Sequence, residues 1–187
     1  MSKSVLVLKG SPRENGNSSV LAERVAAGAS AAGARVESVW LPGLDIHPCT
    51  ACEGCAGPGG ACVVQDDMQS LYPRVAGADA IVLASPVYWF TMSAQLKLCI
   101  DRWYAFQATR WRELHGKKLG LVLTYGDTDL YTSGGINAIH TYESMCRFLR
   151  CEITGIIHGS LMNIGDAEKR ADLMQDAFKL GERLGNE

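Results

Sequence analysis

The stretch VLVLKGSPRENGNSSVLAERVAAGASAA, residues 5–32, sets the architecture of the chain. It opens with a wholly apolar run at 5–8, passes through a polar loop, and then places Leu21, Val25, Ala29 and Ala32 at helical spacing. That is strand, loop and helix, and a strand without polar alternation is one buried on both faces. The same order recurs along the chain, with strands at 36–41 and from Asp79, Lys117 and Cys151. Helices are expected at about 66–75, 93–107, 135–149 and 166–184, the last with Leu173, Ala177, Leu180 and Leu184 on one face. Five such strands alternating with helices predict an α/β fold, a five-stranded parallel sheet in the order 2-1-3-4-5 with helices on both sides.

At 187 residues the chain fits one domain, 1–187, with no repeat or interdomain linker; AGPGGA, 56–61, reads as a local flexible loop. Apolar residues make up 47%, charged residues 20%, and the net charge is -2, so no basic face for nucleic acid or a membrane surface is indicated. The N-terminal MSKSVLVLKGSPR has too short an apolar run, wrongly flanked, for a signal peptide or membrane anchor. A cytoplasmic location is therefore expected, where seven cysteines read as core residues, redox thiols or metal ligands rather than a disulfide framework.

Ligands of such sheets bind beyond the carboxyl ends of the strands, where the strand order reverses. The segments to inspect are 10–19, 41–65, 85–92 and 124–135. In the first, GSPRENGNSS runs into a helix N-terminus, where backbone N–H groups favour an anion. Ser11, Ser18 and Ser19 add hydroxyls, Asn17 an amide and Arg13 a cation. Asn17 stands where a Walker loop carries lysine, and G-x-G-x-x-G is missing, which disfavours nucleotide hydrolysis and dinucleotide binding. A single terminal phosphate, such as the tail of FMN, remains; the alternative is a plain capped helix start. In SPVYWFTMSAQLK, Tyr88, Trp89 and Phe90 follow Pro86 in what reads as a loop, a costly apolar surface unless a planar ring or another subunit covers it.

KGSPRENGNSS, ASPVYWFTMSAQLKLCIDRW and the cysteine stretch followed by VVQDDM together resemble the NAD(P)H-dependent FMN reductase group of flavodoxin-like proteins, the iron-sulfur flavoproteins especially. The resemblance is strongest up to Trp103 and looser beyond it. It implies a flavodoxin-like three-layer sandwich with FMN as cofactor and NAD(P)H as co-substrate. Ser11, Arg13, Asn17, Ser18 and Ser19 would hold the phosphate, and Pro86, Val87, Tyr88 and Trp89 would line the flavin ring. TYGDTDLYTSGG would form a second flavin-side loop beginning at Thr124, Tyr125, Gly126 and Asp127. The chemistry would then belong to FMN, with no catalytic side chain required. Relatives assemble with the flavin near a subunit boundary, so a homodimer or homotetramer is implied. The apolar excess of the helix at 93–107, including Leu96, Cys99, Trp103 and Phe106, agrees with a second buried face.

Cys49, Cys52, Cys55 and Cys62 form C-x2-C-x2-C-x6-C, placed after the second strand on the ligand edge, beside the expected FMN. Three thiols at intervals of three and a fourth nearby can wrap one [4Fe-4S] cluster, with Gly54, Gly57, Gly59 and Gly60 giving the backbone freedom a tight wrap needs. Zinc, a redox thiol pair and inert thiols remain open alternatives. Cys99, Cys146 and Cys151 read as apolar filler and Asp66 and Asp67 as helix caps; His47 could replace a cysteine ligand or stay exposed, His158 could face the ligand edge or be structural, and His115 and His140 show no partner. Two functions stay in view: a reductase passing electrons from NAD(P)H through FMN to a flavin, quinone or similar small acceptor, and an FMN and [4Fe-4S] electron carrier serving another redox protein.

Overall fold

The computed structural model describes residues 2–57 and 60–186; Gly59, and with it part of the loop read at 56–61, lies outside the described residues. β1 (Ser4–Lys9), β2 (Arg35–Trp40), β3 (Ala80–Tyr88), β5 (Lys118–Tyr125) and β6 (Glu152–Ser160) form a parallel sheet in the order β2-β1-β3-β5-β6. Counted along the parallel strands, this is the expected 2-1-3-4-5. The sheet has one strand more than expected, because β4 (Thr91–Met92) folds back antiparallel on β3.

Alternation along each strand explains why the strands read as continuous apolar runs. On one face Val5, Val7, Ala80, Val82 and Val122 pack with Leu21 and Val25 of α1 (Asn17–Ala31) and Leu173, Ala177 and Leu180 of α5 (Ala171–Asn186). On the other, Leu6, Leu8, Ile81, Leu83, Leu121 and Leu123 pack with α2 (Met68–Gly77), α3 (Ala94–Arg102) and α4 (Gly135–Leu149). Each layer removes a full set of aliphatic side chains from water, worth roughly 1.5–3 kcal/mol per side chain before chain entropy opposes it.

Three sequence expectations shift. The helix expected over 93–107 is α-helical only to Arg102 and continues as a 3-10 helix, Trp103–Thr109. The tighter turn aligns residues three apart, so Trp103 and Phe106 both enter the core. Leu96, Cys99, Trp103 and Phe106 are thereby satisfied inside the chain, whereas Leu98 and Ile100 are half-buried and Tyr104 stays exposed. The helix expected from 166 begins at Ala171, because the preceding segment is held in turns by Asp166, which accepts from the Asn163 N–H at 2.8 Å. Finally, Tyr88 belongs to β3 rather than to a loop, and only Trp89 and Phe90 form the turn into β4.

Candidate functional site

The carboxyl ends of β1, β3 and β5 meet the start of α1. Gly10 N–H donates to Ala84 O at 2.8 Å, and Ser93 Oγ donates to Gly10 O at 2.7 Å, so the loop after β1 is pinned to β3 and to the start of α3. Trp40 Nε1 closes the other side, donating to Ser11 O at 2.9 Å. The loop curls tightly enough that a Cβ on Gly16 would lie 2.7 Å from Ser11 Oγ. Gly16 precedes α1 without a side-chain cap, which leaves the helix N-terminus to offer its amides to an anion.

Above this loop lies a cleft of about 210 Å³ lined by Ser11, Arg13, Asn17, Ser18, Pro86, Val87, Tyr88, Thr124, Tyr125 and Gly126, joined by Gly16, Leu161, Met162 and Ile164. Val87, Tyr88, Tyr125 and Gly126 continue into a wider cleft of about 480 Å³, whose walls add Trp89, Phe90, Asp127, Thr132 and Ser133. The structure thus brings together every expected cofactor residue except Ser19. Ser19 is buried and its hydroxyl donates to Arg13 O at 3.4 Å, so it shapes the loop from beneath. Asn17 also differs from expectation in its role. Its amide donates to Leu161 O and Asn163 O, at 3.2 and 2.8 Å, and accepts from Ala167 N at 3.1 Å. Both N–H bonds are engaged by protein, so Asn17 ties α1 to the loop after β6 instead of offering a donor to phosphate.

That loop is the part the sequence reading missed. Leu161, Met162 and Ile164 border the narrow cleft, and the last two expose most of their apolar surface there. The rule that ligands gather at strand carboxyl ends applies to the fifth parallel strand as well as to the first four, and would have found it.

The wide cleft is framed by strain. Trp89 and Phe90 both have positive φ, 45° and 66°, between the paired residues Tyr88 and Thr91. A two-residue turn with both residues left-handed matches the twist of a hairpin, but bulky side chains adopt it at a cost of order 1–3 kcal/mol each. Trp89 is left 92% exposed. Opposite, Gly134 has φ 72°, and a Cβ there would come within 2.5 Å of Phe90 Cβ, so the loop before α4 can approach only as glycine. Tyr125 is buried with its hydroxyl 3.1 Å from His158 Nδ1. Burial raises the Tyr125 pKa, Asp129 adds to the shift and Arg170 opposes it, so the phenol keeps its proton at neutral pH.

The cysteine loop is built elsewhere on the edge: none of its described residues lines either cleft. Cys49 and Cys52 are exposed, Cys55 is buried and Cys62 is half-buried. Burial raises the Cys55 pKa, its backbone hydrogen bond opposes the shift, and the charges of Cys62, Cys49 and Cys52 add to it. Among the described residues, no three His, Cys, Asp or Glu side chains stand as a closed metal-holding group. The donor set itself, the four soft thiols Cys49, Cys52, Cys55 and Cys62, suits a thiolate-ligated metal or cluster in its chemistry. Cys99 and Cys146 are core residues as expected.

Of the two expected caps, Asp66 bonds the start of α2, whereas Asp67, at the N-cap position, makes no side-chain cap hydrogen bond. Asp67 Oδ2 accepts from Asp45 N at 2.8 Å, while Asp66 accepts from His47 N at 2.9 Å and Met68 N at 3.1 Å. Asp66 also pairs with Arg102, the two side chains being almost wholly buried. Burial pushes the Asp66 carboxyl up, but the Arg102 hydrogen bond, the His47 N–H, the Arg102 charge and the Met68 N–H outweigh it and hold the carboxyl below the usual range. Burial likewise pushes Cys62 up, and the Val64 backbone, Tyr72 hydroxyl and Arg102 guanidinium bring it below the ordinary thiol value.

The profile of the NADPH-dependent FMN reductase family matches residues 4–151. An iron-sulfur flavoprotein of Archaeoglobus fulgidus is 38% identical over 118 residues, which are 62% of this chain and 51% of that protein, so the chain aligns with about half the relative's length. YwqN of Bacillus subtilis, described as a candidate NAD(P)H-dependent FMN-containing oxidoreductase, is 28% identical over 92% of this chain and 90% of its own. The solved structure of the Trp repressor binding protein from Bacillus subtilis superimposes with a TM-score of 0.68 at 27% identity, covering 96% of this chain and 99% of that one. The profile spans all the strands but the last and both clefts apart from the loop after β6, and on that evidence the chain belongs to the NADPH-dependent FMN reductase family.

Proposed function

We propose that residues 1–187 act as one FMN-binding domain that oxidises NAD(P)H and passes the electrons to a flavin, quinone or similar small acceptor. The observation that carries this reading is the two-part cleft: a narrow polar end at the α1 N-terminus, continuous with a wide aromatic end between β3 and β5. The residues suit the phosphate and ring of FMN at those two ends, with Gly16 forming a cradle that any side chain would fill. When bound, FMN supplies hydride acceptance and electron delivery.

The side chains bind, orient and manage protons. Ser11, Ser18, Arg13 and the α1 amides hold the anionic tail. The β3–β4 turn and Gly126 would line the flavin ring, and the Tyr125 hydroxyl, 3.1 Å from His158 Nδ1, stands in the wall of both clefts. The exposed rim of Trp89, Phe90 and Tyr131 leaves the wide cleft open to an acceptor, or to a second copy of the chain in a homodimer or homotetramer. Sedimentation at micromolar concentration checks the assembly, a monomer counting against it.

The double variant Arg13→Ala with Ser18→Ala should weaken FMN binding by about 30-fold or more, the loss of a charge-assisted and a neutral hydrogen bond. Fluorescence titration reads it, and unchanged affinity would remove the phosphate assignment. A second reading, an FMN and [4Fe-4S] carrier for another redox protein, is favoured by the compact C-x2-C-x2-C-x6-C spacing of Cys49, Cys52, Cys55 and Cys62. Anaerobic iron and sulfide analysis with spectra separates the two: iron-free yellow protein that oxidises NADPH with a quinone would discard the carrier.

A further inference from the structure

Arg102 has only 2% of its surface exposed, at the end of α3. It belongs to neither cleft, and a buried ion pair is weak evidence for stability, because desolvating both charges offsets most of their attraction. What the pair touches is more informative. Arg102 Nη1 donates to His47 O at 2.9 Å, two residues before Cys49. Nη2 donates to Cys62 Sγ at 3.2 Å and to Val64 O at 3.5 Å. Asp66, bonded to the same guanidinium, accepts the His47 N–H. One planar fork therefore closes both stems of the cysteine loop and touches the sulfur of its last cysteine.

Two neighbours reinforce the arrangement. Gln69 Nε2 donates to Cys62 O and Val64 O, at 2.9 and 2.6 Å, fixing the C-terminal stem to α2. The Tyr72 hydroxyl donates to Arg102 O at 3.2 Å. By contrast, Cys49 and Cys52 are exposed, and Ala51 and Glu53 between and beside them have positive φ. Arg102 Nε is buried with no hydrogen-bond partner among the described residues, and such a donor asks for an acceptor.

We infer that Arg102 is a positioning residue for the cysteine quartet: it holds Cys62 Sγ by a charged N–H···S hydrogen bond and so orients the last thiol toward any group the four thiols ligate. This rests on reading the quartet as an iron-sulfur site. A hydrogen bond to a ligating sulfur stabilises the reduced, more negative form of such a centre and raises its reduction potential. A lysine could keep a charge but not the fork, since an ammonium cannot reach the carboxylate, the carbonyl and the sulfur in one plane.

The full chain is loaded anaerobically with ferrous iron and sulfide, and compared with Arg102→Lys and with the charge-neutral pair Arg102→Met plus Asp66→Asn. FMN affinity reports folding, because Arg102 lines neither cleft. With FMN affinity unchanged, both variants are expected to retain iron about 10- to 100-fold less well against a chelator, the range for outer-shell partners of metal ligands. The midpoint potential of the residual iron-sulfur signal should move to a more negative value, a shift that a merely structural role would not give. Equal retention and an equal midpoint in folded variants overturn the inference and leave the cluster reading standing. Failure of the unaltered chain to take up iron and sulfide overturns the cluster reading itself, and this inference with it.

Discussion

The flavin-side cleft and the cysteine loop occupy the same edge of one sheet and are built in opposite ways. The cleft is over-determined: its loops are tied to one another by Ser93, Trp40 and Asn17, and its turn is held in a strained conformation by the close approach of Gly134. The cysteine loop has firm stems and an open middle, with Arg102 and Asp66 buried at its base and Cys49 and Cys52 in solvent. A site that receives an organic cofactor of fixed shape benefits from walls set in advance. A loop of thiols instead needs its ends fixed and its sulfurs free to converge on what they ligate.

That contrast is open to attack, beginning with the buried pair at the base of the cysteine loop. Asp66→Ala leaves the Arg102 charge buried without its partner and should cost about 3–5 kcal/mol of stability by denaturant unfolding. A cost below about 1 kcal/mol would mean that the stems do not depend on the pair. The pH dependence follows with the same sign. The folded-state carboxyl of Asp66 titrates below its unfolded value, so its contribution is complete above the ordinary carboxylate range. It is lost as pH falls through the folded-state pKa, and Asp66→Asn should flatten the acid limb of the stability curve.

Gly134→Val tests the cleft. A β-branched residue at positive φ, pressed on Phe90, should cost about 1–3 kcal/mol and weaken FMN binding, read by thermal melting and fluorescence titration. Unaltered FMN affinity would show that the turn's conformation is not set by this contact. At the small end, Cys49→Ser with Cys52→Ser should change stability by no more than about 0.5 kcal/mol and leave FMN affinity intact, since both thiols are exposed. A larger loss of FMN affinity would couple the two regions that the structure keeps apart.

Legibility in the sequence followed the range of the interactions. Apolar runs such as 5–8 and the helical spacing of Leu21, Val25 and Ala29 announce local structure, because burial of a two-faced strand or one helix stripe dictates the residue types. The polar loop 10–19 and the aromatic run 88–90 could be assigned to the ligand edge for the same reason. Asn17 shows where that reasoning stops. As an amide in a polar loop it reads as a phosphate donor, yet its partners at 161, 163 and 167 lie far away in sequence, and no local pattern marks them. Arg102 is subtler still, a basic residue at a helix end whose burial beside Asp66 and Cys62 has no periodic signature.

Residue order alone was enough for the layered parallel sheet, the order of its parallel strands and the cysteine spacing, all consequences of short-range pattern and of connection rules. Which polar side chains are donors to a ligand, and which are already engaged by protein, emerged only once the chain was folded. So did the folding back of Thr91 and Met92 as a sixth strand after the aromatic turn, and the closure of the cysteine loop by one arginine. Those outcomes depend on burial and on partners brought together by the fold, and a buried charge or amide takes its role from whichever group lies within hydrogen-bond reach.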